Sequence, residues 1–128
     1  MKITGAIARL LLGFMFLVIG LNMFFNFIPS GPLPPGHAGE FFGALLATHF
    51  MFAVGAVMGV SGILLLFNRY VALGLTLLGP VLVNILLFHI FMSPRAAGMA
   101  LFASLLWLLV AWQHRAAFIP LFLPRLQG

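Results

Sequence analysis

The stretch Val71-Ala-Leu-Gly-Leu-Thr-Leu-Leu-Gly-Pro80-Val-Leu-Val-Asn84-Ile-Leu-Leu-Phe-His89-Ile-Phe-Met92 contains no Asp, Glu, Lys or Arg. A helix needs about 20 mainly apolar residues to cross a hydrocarbon core roughly 30 Å thick, and this stretch is long enough. The rest of the chain repeats its character. Of 128 residues, 64% are hydrophobic and 5% are charged, and the mean hydropathy is +1.25. Soluble domains carry charge at about a quarter of their positions. Six basic side chains and one acid, Glu40, cannot cover a globule of 13.9 kDa with water-facing groups. The solvent facing most of the chain is therefore expected to be lipid.

Working outward from that stretch, Pro80 reads as a kink, because neighbours in a membrane satisfy the carbonyl that proline frees. Upstream, Asn68-Arg69-Tyr70 is a very short break, so the apolar regions on its two sides must run antiparallel. The upstream region, Glu40 to Phe67, exceeds one span. It reads either as a short interfacial helix from Glu40 to about His49 followed by a crossing, or as one long tilted helix. The first apolar run ends at Pro29-Ser-Gly-Pro-Leu-Pro-Pro-Gly36, where four prolines and two glycines exclude helix. Downstream, Ser93-Pro94-Arg95 leads into a last run that stops at Gln113-His114-Arg115. The expected fold is all-α, a single transmembrane domain over residues 1–128 forming a four-helix bundle. Its spans are placed at about 4–27, 42–67, 71–92 and 96–112, with an outward proline-rich loop at 28–39. Lys2 followed by apolar residues has the look of a secretory signal. However, the run Ala6 to Phe25 outlasts a signal core of about 7–15 residues and leads into Asn26-Phe27-Ile28-Pro29 without a small-residue cleavage pattern.

The net charge of +5 does not point to nucleic acid, which needs basic residues gathered on one face. Lys2, Arg9, Arg69, Arg95, Arg115 and Arg125 stand singly between apolar runs and read as topology markers. With four spans, all but Arg95 fall on one side, so both termini are expected to be cytoplasmic. The localisation expected is a cell inner membrane, multi-pass. Arg9, a turn inside the first helix, is expected to snorkel to the cytoplasmic interface, and Trp112 to anchor there. The chain has no cysteine, so it can neither do thiol chemistry nor build an iron–sulfur site from its own side chains.

Polar groups at membrane depth are costly and mark function or packing. The four-span topology brings Asn22, Asn26, Glu40, His49, Asn84 and His89 toward the outer leaflet. As a site, these residues could hydrogen-bond a quinone carbonyl or relay a proton, since imidazole titrates near neutrality. As structure, Asn and His also hold helices together, at about 0.6 kcal/mol per bond and at most 1–2. His37, Glu40, His49 and His89 are residue types that could ligate a first-row metal, but no metal site is predicted from them. Gly55, Gly59 and Gly62 lie at helical spacing and predict a groove where another helix packs closely, in this chain or in a partner. The 15 phenylalanines read as lipid-facing and core filler.

Three stretches resemble a known family. Ala8-Arg-Leu-Leu-Leu-Gly13 leading to Gly20-Leu-Asn22 is similar to the opening of DoxX-like membrane proteins. Gly62-Ile-Leu-Leu-Leu-Phe-Asn-Arg69-Tyr looks like their second-span ending, and Leu78-Gly-Pro80-Val-Leu-Val-Asn84-Ile-Leu-Leu-Phe-His89 their most recognisable segment. The resemblance runs from about Ala8 to Arg115. It implies a four-helix membrane protein of the DoxX/DoxD type, some of whose members are subunits of thiosulfate:quinone oxidoreductase. The family pattern often has a glutamate in span two; this sequence has Met58 in that neighbourhood. The function expected from these observations is an accessory or anchoring subunit of a quinone-linked oxidoreductase or respiratory assembly. The alternatives are a stand-alone quinone-binding oxidoreductase and a small transporter. The expected partners are membrane lipid and a membrane protein or a second copy of the chain, with quinone as the expected small molecule.

Overall fold

The computed structural model describes residues 2–28 and 31–125, and these form helices and turns without a strand. The helices are α1 (Lys2–Phe25), α2 (His37–Ala47), α3 (Phe50–Leu66), α4 (Val71–Phe91) and α5 (Ala97–Gln113), with 3₁₀ turns at Pro94–Ala96, Arg115–Ala117 and Ile119–Phe122. α1 and α4 are long and apolar enough to cross a membrane. Up to four spans result if the bent pairs α2 with α3, and α5 with the 3₁₀ turns after it, each count as one. At 17 residues, α3 and α5 sit at the lower limit of spanning length.

Each helix stops where its sequence offers a way out. At the end of α1, Asn26 takes a left-handed conformation, φ 49°, and its N–H bonds the Asn22 carbonyl at 2.8 Å. The Asn22 side-chain oxygen then accepts the Ile28 N–H at 2.8 Å. At the end of α3, Asn68 is left-handed, its N–H reaches the Leu65 carbonyl and the Arg69 N–H reaches the Leu64 carbonyl. This paired closure satisfies carbonyls that the helix leaves without partners and turns the chain into α4 within four residues.

The second apolar region forms two helices rather than one long straight one, as in the reading of a short helix up to about His49 followed by a crossing. It breaks at Thr48–His49, where α2 and α3 meet at 85°. The Thr48 hydroxyl turns back onto the Ala44 carbonyl at 2.7 Å, and His49 is left-handed with φ 61°. Helix also begins earlier than expected, at His37, so residues 37–39 belong to α2 rather than to the proline-rich loop. Residues 29 and 30 of that loop lie outside the described residues. The part that is described folds back on α2: a Cβ at Gly39 would overlap the Pro34 carbonyl oxygen.

α1 packs on α3, α3 on α4, α4 on α5 and α5 back on α1. α1 and α3 run antiparallel at backbone contact. A Cβ on Gly20 would meet the Gly55 oxygen and the Gly59 nitrogen at 2.7 Å, and one on Gly62 would meet the Gly13 oxygen and the Leu17 nitrogen at 2.6 Å. The helix opposite Gly55 and Gly62 is thus this chain's own α1, through Gly13 and Gly20. Gly59 offers only its backbone, because a Cβ there would meet nothing within 4 Å.

Continuing that register, the Arg9 guanidinium donates to the Leu65 carbonyl and, at 3.4 Å, to the Leu66 carbonyl. Arg9 is half-buried, holding the last carbonyls of α3 where a cation is also favoured by the helix dipole. The side chain thus reaches from inside α1 to the end of α3. α5 is tied to α4 by Trp107, whose Nε1–H donates to the Leu75 carbonyl at 2.9 Å.

Between the helices lies a core of Leu12, Phe16, Leu65, Leu75, Leu78 and Val110. The outside is equally apolar: Phe14, Val83, Leu101, Leu105 and Leu108 are all exposed along helix flanks. Apolar residues on both surfaces of a helix suit a hydrocarbon surrounding.

Candidate functional site

A cavity of about 470 Å³ opens between the C-terminal parts of α1 and α4 and the N-terminal part of α3, with α2 across it. α1 supplies Ile19 and Met23. α2 supplies Phe41, Phe42 and Leu45. α3 contributes residues from Phe50 to Met58, and α4 contributes Val81, Asn84, Ile85, Phe88 and His89. The volume falls within the roughly 300–1,000 Å³ typical of small-molecule sites. The wall is apolar except for Asn84 and His89, five residues apart on α4.

α2 is held over the cavity by aromatic contacts. The Phe42 ring meets Phe88 edge-on at 5.0 Å, and Phe41 meets it at 5.5 Å. Phe88 in turn lies edge-on to the His89 ring at 5.3 Å. Such pairs add about 0.5–1.5 kcal/mol each beyond the area they bury. They fix the position of the roof relative to the two polar groups.

Both polar side chains are anchored to their own helix. Asn84 Nδ2 donates to the Pro80 carbonyl at 3.0 Å, and His89 Nδ1 donates to the Ile85 carbonyl at 2.8 Å. Asn84 is exposed to the cavity side of the helix flank and His89 is half-buried.

The other four residues expected in the outer cluster stand apart from this cavity. Asn22 and Asn26 are used to end α1. Glu40 pairs with His37 at 3.0 Å, one helical turn away, with both side chains largely exposed. His49 stacks on Phe52 at 5.4 Å, and Phe52 stacks on Phe24 at 5.3 Å, forming a separate aromatic column. Glu40 lies on α2 and His49 at the bend between α2 and α3, and neither lines the cavity. Among the described residues no three His, Cys, Asp or Glu side chains gather as ligands for a metal ion.

Sequence reading missed the aromatic roof, Phe41, Phe42 and Phe88, having assigned phenylalanine to lipid contact and filler. Phe88 beside His89 was a signal for part of it. Phe41 and Phe42 join only because α2 turns through 85°.

At the opposite end, a Cβ on Gly5 would overlap the Gln113 side chain, which puts the start of α1 beside the end of α5. Lys2, Arg9, Arg69 and Arg115 therefore share one end and Arg95 occupies the other. Arg115 lies over the Trp112 ring, 4.5 Å from its centroid, and donates to the Trp112 carbonyl at 2.8 Å.

No protein-family model matches the chain, no curated protein matches it, and no solved structure matches it.

Proposed function

We propose that this chain is a DoxX-like, four-span protein of a cell inner membrane, with cytoplasmic termini, that binds a quinone-class lipid in the cavity beneath α2. The observation that carries the reading is the cavity itself. It has room for a substituted ring with the start of an isoprenoid tail, an apolar and aromatic wall, and two polar side chains placed together on α4. Ligand sites of this kind pair a largely apolar lining with a few polar groups that orient the ligand.

Two further observations support the arrangement in the membrane. The basic residues gather at the end that holds both Lys2 and Arg115, as expected for a cytoplasmic face. Met58, in the neighbourhood where the DoxX-like pattern often has glutamate, is buried and lines the cavity.

An autonomous binding protein is preferred to an accessory subunit for a specific reason. The groove formed by Gly55, Gly59 and Gly62, which the sequence left open to a helix of this chain or of a partner, is filled by α1 of the same chain.

The test is direct. Protein purified in mild detergent is titrated with a one-isoprene benzoquinone and its hydroquinone under anaerobic conditions. Saturable binding of either is expected. Leu45→Trp, which fills the cavity from the roof, should remove that binding while the helical circular dichroism is unchanged. Wild-type protein that takes up neither form refutes the reading.

A further inference from the structure

The polar wall of the cavity has a donor–acceptor direction that residue names alone do not reveal. A backbone carbonyl can only accept, so the contact between His89 Nδ1 and the Ile85 oxygen at 2.8 Å puts the ring proton on Nδ1. Neutral imidazole carries a single N–H, which leaves Nε2 with its lone pair. Asn84 is committed in the same sense. One of its amide protons goes to the Pro80 carbonyl at 3.0 Å, leaving one proton and the Oδ1 acceptor. Among the described residues neither side chain has a further hydrogen-bond partner. The wall therefore offers two acceptors, His89 Nε2 and Asn84 Oδ1, against one donor.

Resting on the quinone-class reading above, we infer that the cavity selects the reduced form, a hydroxyl-bearing quinol, over the oxidised quinone, and that His89 is the residue that discriminates. A quinol hydroxyl donates to Nε2 and can accept the remaining Asn84 proton. A quinone presents only carbonyl oxygens. One of these would face the Nε2 lone pair with no proton between them. Leaving such a group unpaired costs more than a formed bond contributes. The ring cannot easily reverse its edges to offer a donor, because turning it would abandon the Ile85 carbonyl.

The experiment compares three ligands on wild-type protein in detergent, anaerobically and at about pH 8. They are a one-isoprene benzoquinone, its hydroquinone, and the dimethyl ether of that hydroquinone, which keeps the ring but has lost both donors. The hydroquinone is expected to bind about tenfold more tightly than the quinone, and the ether no more tightly than the quinone. In His89→Phe the preference should fall to near unity, and the ether comparison stands even if that variant does not fold. Equal binding of quinone and hydroquinone, or an ether as tight as the hydroquinone, overturns the inference and leaves the cavity reading intact. No binding of any of the three overturns both.

Discussion

Replacing Gly20 with alanine adds one methyl group where α1 and α3 touch backbone to backbone. The new Cβ would lie 2.7 Å from the Gly55 oxygen, 2.7 Å from the Gly59 nitrogen and 3.0 Å from the Gly59 Cα, whereas ordinary contact begins near 3.4 Å. All three obstacles are main-chain atoms of a helix, so no side chain can rotate aside. The helices must separate by about 0.7 Å locally, and a gap of roughly 0.5–1 Å forfeits a quarter to a half of each dispersion contact along the seam. Overpacking of this kind typically costs about 1–3 kcal/mol. Alanine returns up to about 1 kcal/mol through its better helix propensity, so the net loss should be about 1–2 kcal/mol. Gly59→Ala is the control, because a Cβ there meets nothing within 4 Å. It should be neutral, or more stable by up to about 1 kcal/mol. Gly20→Ala combined with Gly62→Ala should cost less than the sum of the two, since both push the same pair of helices apart. Reversible unfolding in detergent, followed by far-ultraviolet circular dichroism, measures all four proteins. If Gly59→Ala loses as much as Gly20→Ala, the glycine stripe does not act through close backbone approach.

Three other outcomes are expected. Arg9→Leu removes the donor to the Leu65 and Leu66 carbonyls and should lower stability by about 1.5–3 kcal/mol, as for hydrogen bonds made by charged groups; an unfolding curve unchanged from wild type would show that the cap contributes nothing. The Ser61 hydroxyl is fully buried and has no hydrogen-bond partner among the described residues. Ser61→Ala should therefore be neutral or raise stability by up to about 1 kcal/mol in the same assay, and a clear loss would mean that the hydroxyl is paired. Because the chain has no cysteine, single-cysteine labelling reads its orientation: Pro94→Cys should react with an impermeant maleimide on intact cells, and Ala116→Cys only after permeabilisation. The reverse pattern would invert the proposed topology.

The aromatic roof shows what a membrane sequence conceals. In water, an apolar face at helical spacing points to the core, because the opposite face must be polar. Here the flanks are as apolar as the interior: Leu12 and Leu78 are buried, and Leu11 and Leu73 are exposed, although all four are leucine. The pattern therefore does not say which phenylalanine meets lipid and which meets another helix. Asn84 and His89 were legible because polar groups on an apolar helix are costly enough to stand out. Glu40 and His49 stood out equally well, yet sequence alone could not say that they turn away from the cavity.

The amino-acid sequence by itself determined the kind of solvent, the helical class and the places where the chain must turn. Those features come from local and summed properties: hydropathy over about 20 residues, prolines that cannot continue a helix, and asparagines that tolerate a left-handed conformation at Asn26 and Asn68. It also marked Gly55, Gly59 and Gly62 as a place of close packing, without saying what fills it. Tertiary structure alone decided that α1 fills it, that Arg9 caps α3, and that the second apolar region bends at His49 to roof a cavity. Those outcomes depend on which surfaces meet at distances of a few ångströms, through backbone contacts and ring edges that leave no periodic trace in the order of residues.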